Sequence, residues 1–486
     1  MPIRKEIPIV GPTYQSSSLD VSAQVTENMY PEVQIPNGKK PIAMTGFPGL
    51  TLLGTVGSGL DRGMAVMNGV LYKVTGGNLY SVSTSWAGTD LGAIVGTGRV
   101  IMDTNGTQLI ICTGTTAYSY TTAGGLVTIS DASIVNPNSI RFINRRGLYD
   151  SDGNGSVLAA STYVATALDD LTTSESSAFA ESRPDALSRI YTFAQNIYMM
   201  GTETIEPFWN SGSGSPPFDR INSAMQKLGV IGLGAIHAVD SNRDFVYFLG
   251  NDRLPYQMAS FNRQNIASPG LINEWDSYKD ATDCYITCIE IDAQPMAVFS
   301  FPTAGKTWAY HEQTGFWFNL STSTNRDRHP ISSYQDLRQV GGYGKKIITD
   351  YRNGNIYALD KSVYTNNGEV IKRVRHTAPI TSESLGLAEG KKISISKLTL
   401  VAETGSVTLS AGSAPNIGIR VSTDAGRTFT ELNPQSMGKL GEYKTKMLWP
   451  GPVVANEYEA IFEIYATDPV KFSLAAMYGD VSVGTN

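Results

Sequence analysis

The sequence predicts an all-β protein organised around a β-propeller of six or seven irregular blades, with an extended N-terminal arm and a C-terminal β-sandwich. Two observations carry this prediction. A short motif of turn residues followed by apolar residues around a tyrosine recurs along most of the chain. The 486 residues also include 48 glycines and 24 tyrosines, a combination typical of many strands joined by tight turns.

The recurring motif is clearest in "DYRNGNIYALD", residues 350–360, where turn residues precede an alternating apolar run. The tyrosines of the motif are Tyr72 or Tyr80, then Tyr118, Tyr149, Tyr198, Tyr247, Tyr310 and Tyr357. Most intervals approach the ~40–50 residues of one four-stranded propeller blade. Because a blade has two apolar faces, it must pack between neighbours, and we expect these tyrosines between blades. The uneven intervals indicate insertions, and a set of unrelated β-hairpins is the alternative.

Changes in composition predict the domain boundaries. Residues 1–45 contain six prolines, which disfavour helices and central strands and indicate an extended arm lying across another surface. Residues 46–385 carry the recurring motif and form the predicted propeller, with one helical segment at 269–281. Residues 386–486 begin with a linker and continue as alternating strands, which predicts a β-sandwich.

Charge and cysteine content exclude some classes of protein. The formal net charge of −6 argues against binding nucleic acid by neutralising phosphates, although a mildly acidic wall suits a surface past which DNA slides. Cys112, Cys284 and Cys288 make no disulfide framework, which indicates assembly in a reducing compartment. The N-terminus lacks the apolar core of a signal peptide, and the most apolar segment, 228–239, is too short to span a bilayer. We therefore expect no membrane insertion.

The segment after Asp150 resembles a calcium-binding loop. Asp150, Asp152 and Asn154 match the first, third and fifth positions of such a loop. The twelfth position, however, is Ser161, where a bidentate glutamate is needed. A polar hairpin turn is therefore the favoured interpretation, and we expect no bound metal.

A second local motif is "STDAGRTF", residues 422–429, which fits the Asp-box pattern of sialidases and other β-proteins. Its defining residues are Ser422, Asp424, Gly426 and Phe429. We expect Asp424 to accept backbone N–H bonds across a hairpin and Phe429 to enter the core. Asp-boxes are structural, so the motif predicts a hairpin and not glycosidase activity.

The sequence predicts neither an enzyme nor a cofactor site. The four histidines and three cysteines lack the spacing of metal ligands. A carbohydrate-active propeller is the competing hypothesis, and it requires arginines or paired carboxylates around the propeller axis. Arg141, Arg145 and Arg146 do not form an obvious set of this kind.

Another alternative is a glycan-binding propeller that recognises sugars on aromatic platforms. Trp209, Trp275 and Trp317 are the candidates, although packing between blades is the ordinary role of such side chains. The small basic cluster at 371–376 suits a phosphate or an acidic partner, and a solvated strand face is the favoured interpretation.

A set of collinear segments within residues 1–320 carries a family resemblance. The segments are the opening "MPI", "ENMYPE" (27–32), "GFPGL" (46–50), "RGMAVMNGVLYKVTGGNLY" (62–80), "GTGRVIM" (96–102), "AESRPDA" (180–186), "GTETIEPFWNSG" (201–212), "MQKLGVIG" (225–232), "VYFLGNDRLPYQMASFNRQNIASPGLINEW" (246–275) and "YHEQTGFWFNL" (310–320). Together they resemble the tail-hub (nozzle) proteins of short-tailed bacteriophages, the podoviruses, also called packaged-DNA stabilisation proteins.

The resemblance implies a non-enzymatic virion component that is assembled in the host cytoplasm and resides in the phage tail. Members of the family form a homo-oligomeric, sixfold ring around the tail channel, below the portal and its adaptor, or head-to-tail connector. The ring helps to retain packaged DNA and supports tail fibres, spikes or a plug (needle) below. The resemblance further implies that double-stranded DNA passes through the channel during ejection without specific binding.

Overall fold

The computed structural model describes residues 2–33, 40–151, 162–166, 170–179, 185–237, 245–322, 325–406, 414–454 and 459–484. Almost all regular structure in these ranges is β-strand, as the sequence predicts. The α-helix Pro269–Asp276 confirms the predicted helical segment, and a single 3-10 turn covers Asn222–Ala224 of the described chain. No helix in these ranges is long and apolar enough to cross a membrane.

Six blades of the propeller are contiguous in sequence, and each is a four-stranded antiparallel sheet. Blade 1 comprises Asp61–Met67, Val70–Thr75, Asn78–Val82 and Gly88–Ala93. Blade 2 comprises Ile101–Thr104, Leu109–Cys112, Ala117–Thr121 and Gly125–Thr128. Blade 3 comprises Ile140–Ile143, Arg146–Ser151, Thr162–Thr166 and Ser174–Phe179.

The next three blades continue the same pattern. Blade 4 comprises Leu187–Phe193, Asn196–Gly201, Ile205–Asn210 and Phe218–Arg220. Blade 5 comprises Ile236–His237, Phe245–Leu249, Pro255–Ala259 and Asn262–Asn265. Blade 6 comprises Tyr285–Ile291, Gln294–Phe301, Lys306–His311 and Phe316–Asn319. A two-stranded ribbon, Ser321–Thr322 with Asp327–Arg328, follows blade 6.

Blade 7 closes the ring with strands from two distant parts of the chain. Its first three strands are Ile331–Asp336, Lys346–Asp350 and Asn355–Asp360, and its fourth is Gly49–Thr55. Leu50 pairs with Leu359 in an antiparallel register. Thr365–Asn366 and Glu369–Val370 extend this sheet beyond Gly49–Thr55. The propeller therefore has seven blades, and the closing strand leaves no free edge in blade 7 where the chain enters and leaves the ring.

Apolar clusters between neighbouring blades hold the propeller together, and the recurring tyrosines lie in them. Tyr72 packs between blades 1 and 2, with its ring 5.3 Å from that of Tyr120. Tyr247 and Tyr310 meet between blades 5 and 6 with ring centroids 5.9 Å apart. The predicted packing of these tyrosines between blades is thus confirmed.

The uneven spacing of the motif has a structural cause in addition to insertions. The tyrosine stands on the second strand of its blade at Tyr72, Tyr149, Tyr198 and Tyr247, and on the third strand at Tyr118, Tyr310 and Tyr357. Both strands lie in the middle of a blade and face its neighbours, so either position buries the ring. The blades repeat regularly even though the tyrosines do not.

The C-terminal part of the chain is a β-sandwich of two packed sheets. One sheet contains Ile3–Ile7, Met29–Val33, Ile42–Gly46, Ile393–Ala402, Met447–Val454 and Ser473–Val483. The other contains Tyr14–Gln15, Ala23–Glu27, Arg373–His376, Ile380–Thr381, Asn416–Ser422, Thr430–Glu431, Gln435–Ser436 and Glu459–Ala466. Their facing side chains form one apolar core that includes Met29, Trp449 and Phe462.

The N-terminal residues depart from the expected arm. Instead of lying extended on another surface, residues 3–7, 23–27, 29–33 and 42–46 are strands of the sandwich. Prolines do not prevent this, because most fall between strands and Pro31 stands in an edge strand, where its missing N–H is tolerated.

The sandwich also begins earlier than the expected boundary at residue 386, because Arg373–His376 already pairs with Glu459–Ala466. The strand Ala23–Glu27 joins the two parts of the molecule. On one side it pairs with Arg373–His376, and on the other it meets the last strand of blade 6 through a parallel pairing of Glu27 with Asn319. Blade 6 and one sheet of the sandwich are therefore continuous, which gives a stiff connection between propeller and sandwich.

Candidate functional site

A cavity of about 440 Å³ lies on the propeller axis, because the first strands of all seven blades line it. Its walls contain Gly63, Met64, Ala65, Val66, Ile101, Met102, Asp103, Thr104, Arg141, Arg189, Ile236, His237, Ile286, Thr287, Ser333, Tyr334 and Gln335, together with Arg99, Val100, Leu233 and Gly234 from connecting segments. We call this space the axial cavity. It is the place in a propeller where polar groups from many blades converge on one ligand-sized volume.

Arg189 and Arg141 place their guanidinium groups in the wall of the axial cavity. Arg189 is only 6% exposed, and its Nη1 donates to the carbonyl oxygens of Leu233 at 2.9 Å and Ile236 at 3.2 Å. The Tyr191 ring contacts both arginines, with its centroid 4.3 Å from Arg141 Cζ and 5.3 Å from Arg189 Cζ. The Nε atoms of both arginines are buried without a hydrogen-bond partner in the described structure.

Arg99 is the third arginine of the axial cavity. Its Nη1 donates to Ser332 Oγ at 3.0 Å and its Nη2 to Ser332 O at 3.2 Å, while its guanidinium stacks 4.3 Å from the Tyr285 ring centroid. Arg99, Leu233 and Gly234 also line a second cavity of about 390 Å³, which continues toward Arg328. These three residues therefore form the partition between the two cavities.

The charges in the axial cavity are predominantly positive. Burial, reinforced by the neighbouring guanidinium groups of Arg141 and Arg99, lowers the pKa of Arg189 to about 9. Asp103 supplies a carboxylate, but its Oδ1 accepts from the Thr104 N–H and its Oδ2 from the Phe142 N–H. Its ion pair with Arg141 is long, at 3.8 Å. The wall of the axial cavity therefore holds three arginine cations and one carboxylate, Asp103, which already accepts hydrogen bonds from two backbone N–H groups.

The arginine set differs from the one weighed in the sequence. Arg141 lines the axial cavity, but Arg145 lies in a turn with φ 67° and Arg146 pairs with Glu175 at 2.7 Å on the outside of blade 3. The sequence does carry a signal for the three cavity arginines, since an arginine lies in or just before the first strand in "DRGMAV", "GRVIMD", "IRFINR" and "SRIYTF". Only the blade register shows that three of these four converge on the axis.

The structure describes only part of the candidate calcium-binding loop that begins at Asp150. Asp152, Asn154 and Ser161 lie outside the described residues. Asp150 is buried, and its Oδ1 accepts from the Ser139 N–H at 2.6 Å. Burial raises the pKa of Asp150 to about 7, which weakens it as a cation ligand at neutral pH. The described ranges contain no cluster of three or more His, Cys, Asp or Glu side chains able to hold a metal ion.

The Asp-box residues form a turn between the paired strands Asn416–Ser422 and Thr430–Glu431. Asp424 Oδ1 accepts from the Thr428 N–H at 2.8 Å and from Ser422 Oγ at 2.7 Å, and Ser422 Oγ accepts from the Gly426 N–H at 2.8 Å. The expectation for Phe429 needs correction, because its ring is half-buried against His376 at 5.1 Å and is not part of the sandwich core.

The candidate tryptophan platforms differ in exposure. Trp275 and Trp317 are buried between blades 5 and 6, with ring centroids 5.4 Å apart, and Trp317 Nε1 donates to Ile266 O at 2.7 Å. They are packing residues and cannot stack on a sugar. Trp209, on the third strand of blade 4, is 47% exposed and is the remaining aromatic of this set with an accessible face.

The basic cluster at 371–376 is not a solvated strand face. Arg373 and Arg375 are each 1% exposed. Arg375 donates to the carbonyl oxygens of Ile9 at 2.7 Å and Pro12 at 2.9 Å. Arg375 thus holds the N-terminal segment in place, and Arg373 donates to the carbonyl oxygens of Asp468 and Tyr364. Both are buried and unavailable to a phosphate or an acidic partner.

Groups that commonly perform catalysis are occupied or buried. The thiols of Cys112, Cys284 and Cys288 are buried and free, and burial raises the pKa of each. Burial lowers the pKa of His311 to about 4 and that of His329 to about 3. The described lining of the axial cavity holds only Asp103 among carboxylates, whereas glycoside hydrolysis uses two.

The architecture defines the class: a closed seven-bladed β-propeller that is continuous with a β-sandwich. A family profile described as "Bacteriophage P22 Gp10, beta-propeller" matches residues 5–364. The chain belongs to this family of phage packaged-DNA stabilisation proteins. The match confirms the resemblance drawn from the sequence and extends it through blade 7. Members of the family are structural proteins of the phage.

The chain also matches solved structures at low similarity. Solved structures that match include Kluyveromyces lactis Hsv2, the WD40 domain of Neurospora crassa Pan2 and the extracellular domain of a putative hybrid two-component system of B. thetaiotaomicron. Hsv2 is 11% identical with a TM-score of 0.33, and the alignment covers 54% of this chain and 84% of Hsv2. The Pan2 domain is 10% identical with a TM-score of 0.38, covering 62% of this chain and 89% of the other. The two-component system domain is 9% identical with a TM-score of 0.42, covering 74% of this chain and 44% of the other. No curated protein matches the sequence.

Proposed function

We propose that the chain is the repeating subunit of a hexameric ring in the tail of a short-tailed phage, the hub or nozzle that continues the DNA channel below portal and adaptor. The family match over residues 5–364 is the observation that carries this proposal. In this role the ring retains packaged DNA and anchors fibres, spikes or a plug below, and double-stranded DNA passes through during ejection without specific binding. The subunit works as a rigid wall and not as an enzyme.

The connections within the subunit suit a mechanical role. The strand Gly49–Thr55 ties the beginning of the propeller to its end, and Ala23–Glu27 ties blade 6 to the sandwich. Force applied to either body is carried by hydrogen-bonded strands and by the buried clusters around them. A stiff subunit keeps a ring in register, because closed rings require each interface to repeat the same angle.

One surface loop of the sandwich has the character of a contact with a neighbouring subunit. Leu440 is 72% exposed and Tyr443 is 69% exposed, the two largest values among the large apolar side chains of the described residues. Both lie on the loop between Gln435–Ser436 and Met447–Val454. Exposed apolar side chains grouped in this way mark interaction surfaces. We assign this loop, residues 437–446, to the interface between subunits or with the adaptor.

Particle size in solution and in the virion tests the proposal. The purified full-length chain is mixed with the adaptor protein encoded by the same phage, and its mass is measured by mass photometry. Negative-stain images of the mixture and of intact virions then show whether a sixfold ring with one propeller per subunit is present. A chain that stays monomeric with the adaptor and is missing from purified virions contradicts the proposal.

A further inference from the structure

The axial cavity has an electrostatic arrangement that the wall-building role does not explain. Three arginines converge on it, Arg141 and Arg189 from the first strands of blades 3 and 4 and Arg99 from the segment before blade 2, and Arg141 and Arg189 have buried Nε atoms without a partner. Burying cations next to each other costs free energy unless opposite charge compensates them. Asp103 is the carboxylate in the described wall, and its hydrogen bonds to two backbone N–H groups take up part of its capacity.

The positions of the arginines are held firmly, as a binding site requires. Two carbonyl oxygens hold Arg189 Nη1, and Ser332 holds the guanidinium of Arg99. The Tyr191 ring supports both Arg141 and Arg189. Arg141 makes only a long ion pair with Asp103, at 3.8 Å, and its side chain stays 18% exposed, so N–H donors of its guanidinium remain for a ligand. A guanidinium edge matches the two oxygens of a carboxylate or a phosphate in one plane.

The cavity is large enough for more than a single ion and is accessible. About 440 Å³ falls in the size range of small-molecule sites. The Arg141 side chain retains 18% exposure, so solvent reaches the cationic wall. Thr104, Thr287 and Ser333 contribute further polar side chains around it. The floor toward the second cavity is closed by Arg99, Leu233 and Gly234.

We propose that the axial cavity is an anion-binding site that takes a small molecule through a carboxylate or phosphate group, bound by Arg189 and Arg141 with Arg99 behind them. The bound anion compensates the positive charges of Arg99, Arg141 and Arg189 and links the parts of the ring that hold them across the axis. The lining of the axial cavity includes no residue of the loop 437–446 that we assign to ring assembly, so binding of an anion can be tested independently of the proposed tail role.

Thermal unfolding of the full-length protein in the presence of defined anions tests this site. Inorganic phosphate and citrate are the two probes, each titrated to 10 mM at constant ionic strength with sodium chloride as the balancing salt. A ligand that binds only the folded state raises the unfolding temperature in a saturable manner. A larger shift with phosphate identifies a phosphate site, and a larger shift with citrate identifies a carboxylate site. Isothermal titration calorimetry of the preferred probe gives the dissociation constant.

Two variants and one matched control assign the binding to the cavity. Arg141→Gln and Arg189→Gln are each expected to weaken binding at least tenfold. Arg189→Gln also loses its bonds to two carbonyl oxygens, so Arg141→Gln is the decisive variant if Arg189→Gln does not fold. Arg146→Gln, an arginine of the same blade that pairs with Glu175 on the surface, is expected to bind as the wild type does. The proposal is overturned if neither probe gives a saturable shift, or if Arg141→Gln binds as tightly as Arg146→Gln.

Discussion

Asn28 and Ser321 hydrogen-bond to each other in both directions. The Asn28 side-chain amide donates to Ser321 Oγ at 3.0 Å, and the Ser321 N–H donates to Asn28 Oδ1 at 2.9 Å. The same amide donates to Lys372 O at 2.8 Å. One side chain therefore links the N-terminal segment, the end of blade 6 and the entry to the sandwich strand Arg373–His376.

Replacing Asn28 with alanine is expected to weaken this junction. Asn28 has φ 54°, a left-handed conformation that asparagine tolerates better than alanine. Asn28→Ala removes three hydrogen bonds worth about 1 kcal/mol each at most and adds about 1 kcal/mol of backbone strain. We expect a loss of about 2–3 kcal/mol in the apparent free energy of unfolding, measured by urea denaturation with tryptophan fluorescence.

Asn28→Gly is the matched control for the backbone contribution. It removes the same hydrogen bonds but adopts the left-handed conformation without strain. It should therefore be less destabilising than Asn28→Ala. If Asn28→Ala unfolds at the same urea concentration as the wild type, the junction does not depend on this side chain.

The closing strand of the propeller gives a second prediction. Leu50 is 1% exposed and packs in the cluster between blades 6 and 7, whereas Leu52, on the same strand, is 40% exposed. Leu50→Ala is expected to cost about 2–4 kcal/mol, the range for removing a buried leucine side chain. Leu52→Ala should change stability by less than about 0.5 kcal/mol. Chemical denaturation of both variants checks this, and equal effects would contradict the closure by Gly49–Thr55.

The repeated tyrosines could be interpreted from sequence because blade packing is local. Each blade is built from consecutive strands, so the pattern of one blade recurs in the next and its two faces need the same kind of residue. Tyr72 and Tyr357 accordingly lie where the motif predicts. The motif alone does not fix the number of blades, because the fourth strand of blade 7 comes from residues 49–55, far from its partners in sequence.

The features missed in the sequence depend on long-range pairing. Arg375 looks like a surface charge until its partners, Ile9 and Pro12, are known from the fold. The N-terminal segment likewise looks like an arm because its strands have no neighbours nearby in the chain. Arg99, Arg141 and Arg189 are unremarkable one at a time, and only their common position in the wall of the axial cavity makes them a site.

The loop of residues 437–446 gives a prediction about assembly. Because Leu440 and Tyr443 are largely exposed, replacing both with serine removes apolar surface without opening a core. The double variant Leu440→Ser, Tyr443→Ser is expected to keep the unfolding temperature of the wild type and to lose the ring or the adaptor contact in mass photometry. Val127→Ser, at another exposed apolar position, serves as the control and should assemble normally. Unchanged assembly of the double variant removes this loop from the proposed interface.

The Asp-box predicts a modest effect confined to the sandwich. Hydrogen bonds from Thr428 and Ser422 lower the pKa of the exposed Asp424 to about 2, so the ionised form stabilises the turn. That contribution is present above the ordinary pKa of 3.8 and is lost as the pH falls from about 4 to about 2. Asp424→Ala should lower stability at pH 7 by about 1 kcal/mol or less, because the group is solvent-exposed. Arg427→Ala, which removes an exposed ion pair with Asp20 and a hydrogen bond to Asp424 O but leaves the Asp424 carboxylate in place, should have a smaller effect.

Asp150 predicts a pH dependence of the opposite sign. Burial raises its pKa in the folded protein to about 7 from an ordinary 3.8, so the folded state keeps a proton that the unfolded chain has lost. Stability contributed by the neutral carboxyl is therefore complete below about pH 4 and declines as the pH rises to about 7, by at most about 1.4 kcal/mol per pH unit. Above about pH 7 the buried carboxylate is charged, and the loss of folding stability no longer increases with pH.

Asp150→Asn is expected to remove this penalty. The amide oxygen can still accept from the Ser139 N–H, and nothing titrates at this position. The advantage of the variant over the wild type should grow by about 3 kcal/mol between pH 5 and pH 8 in urea denaturation. Asp131→Asn is the control: despite its burial, hydrogen bonds from Ser174 and Ser133 hold the pKa of Asp131 below its ordinary value, so this variant should gain nothing at pH 8. Parallel stability curves for Asp150→Asn and the wild type between pH 5 and pH 8 would show that Asp150 is already ionised in the folded protein.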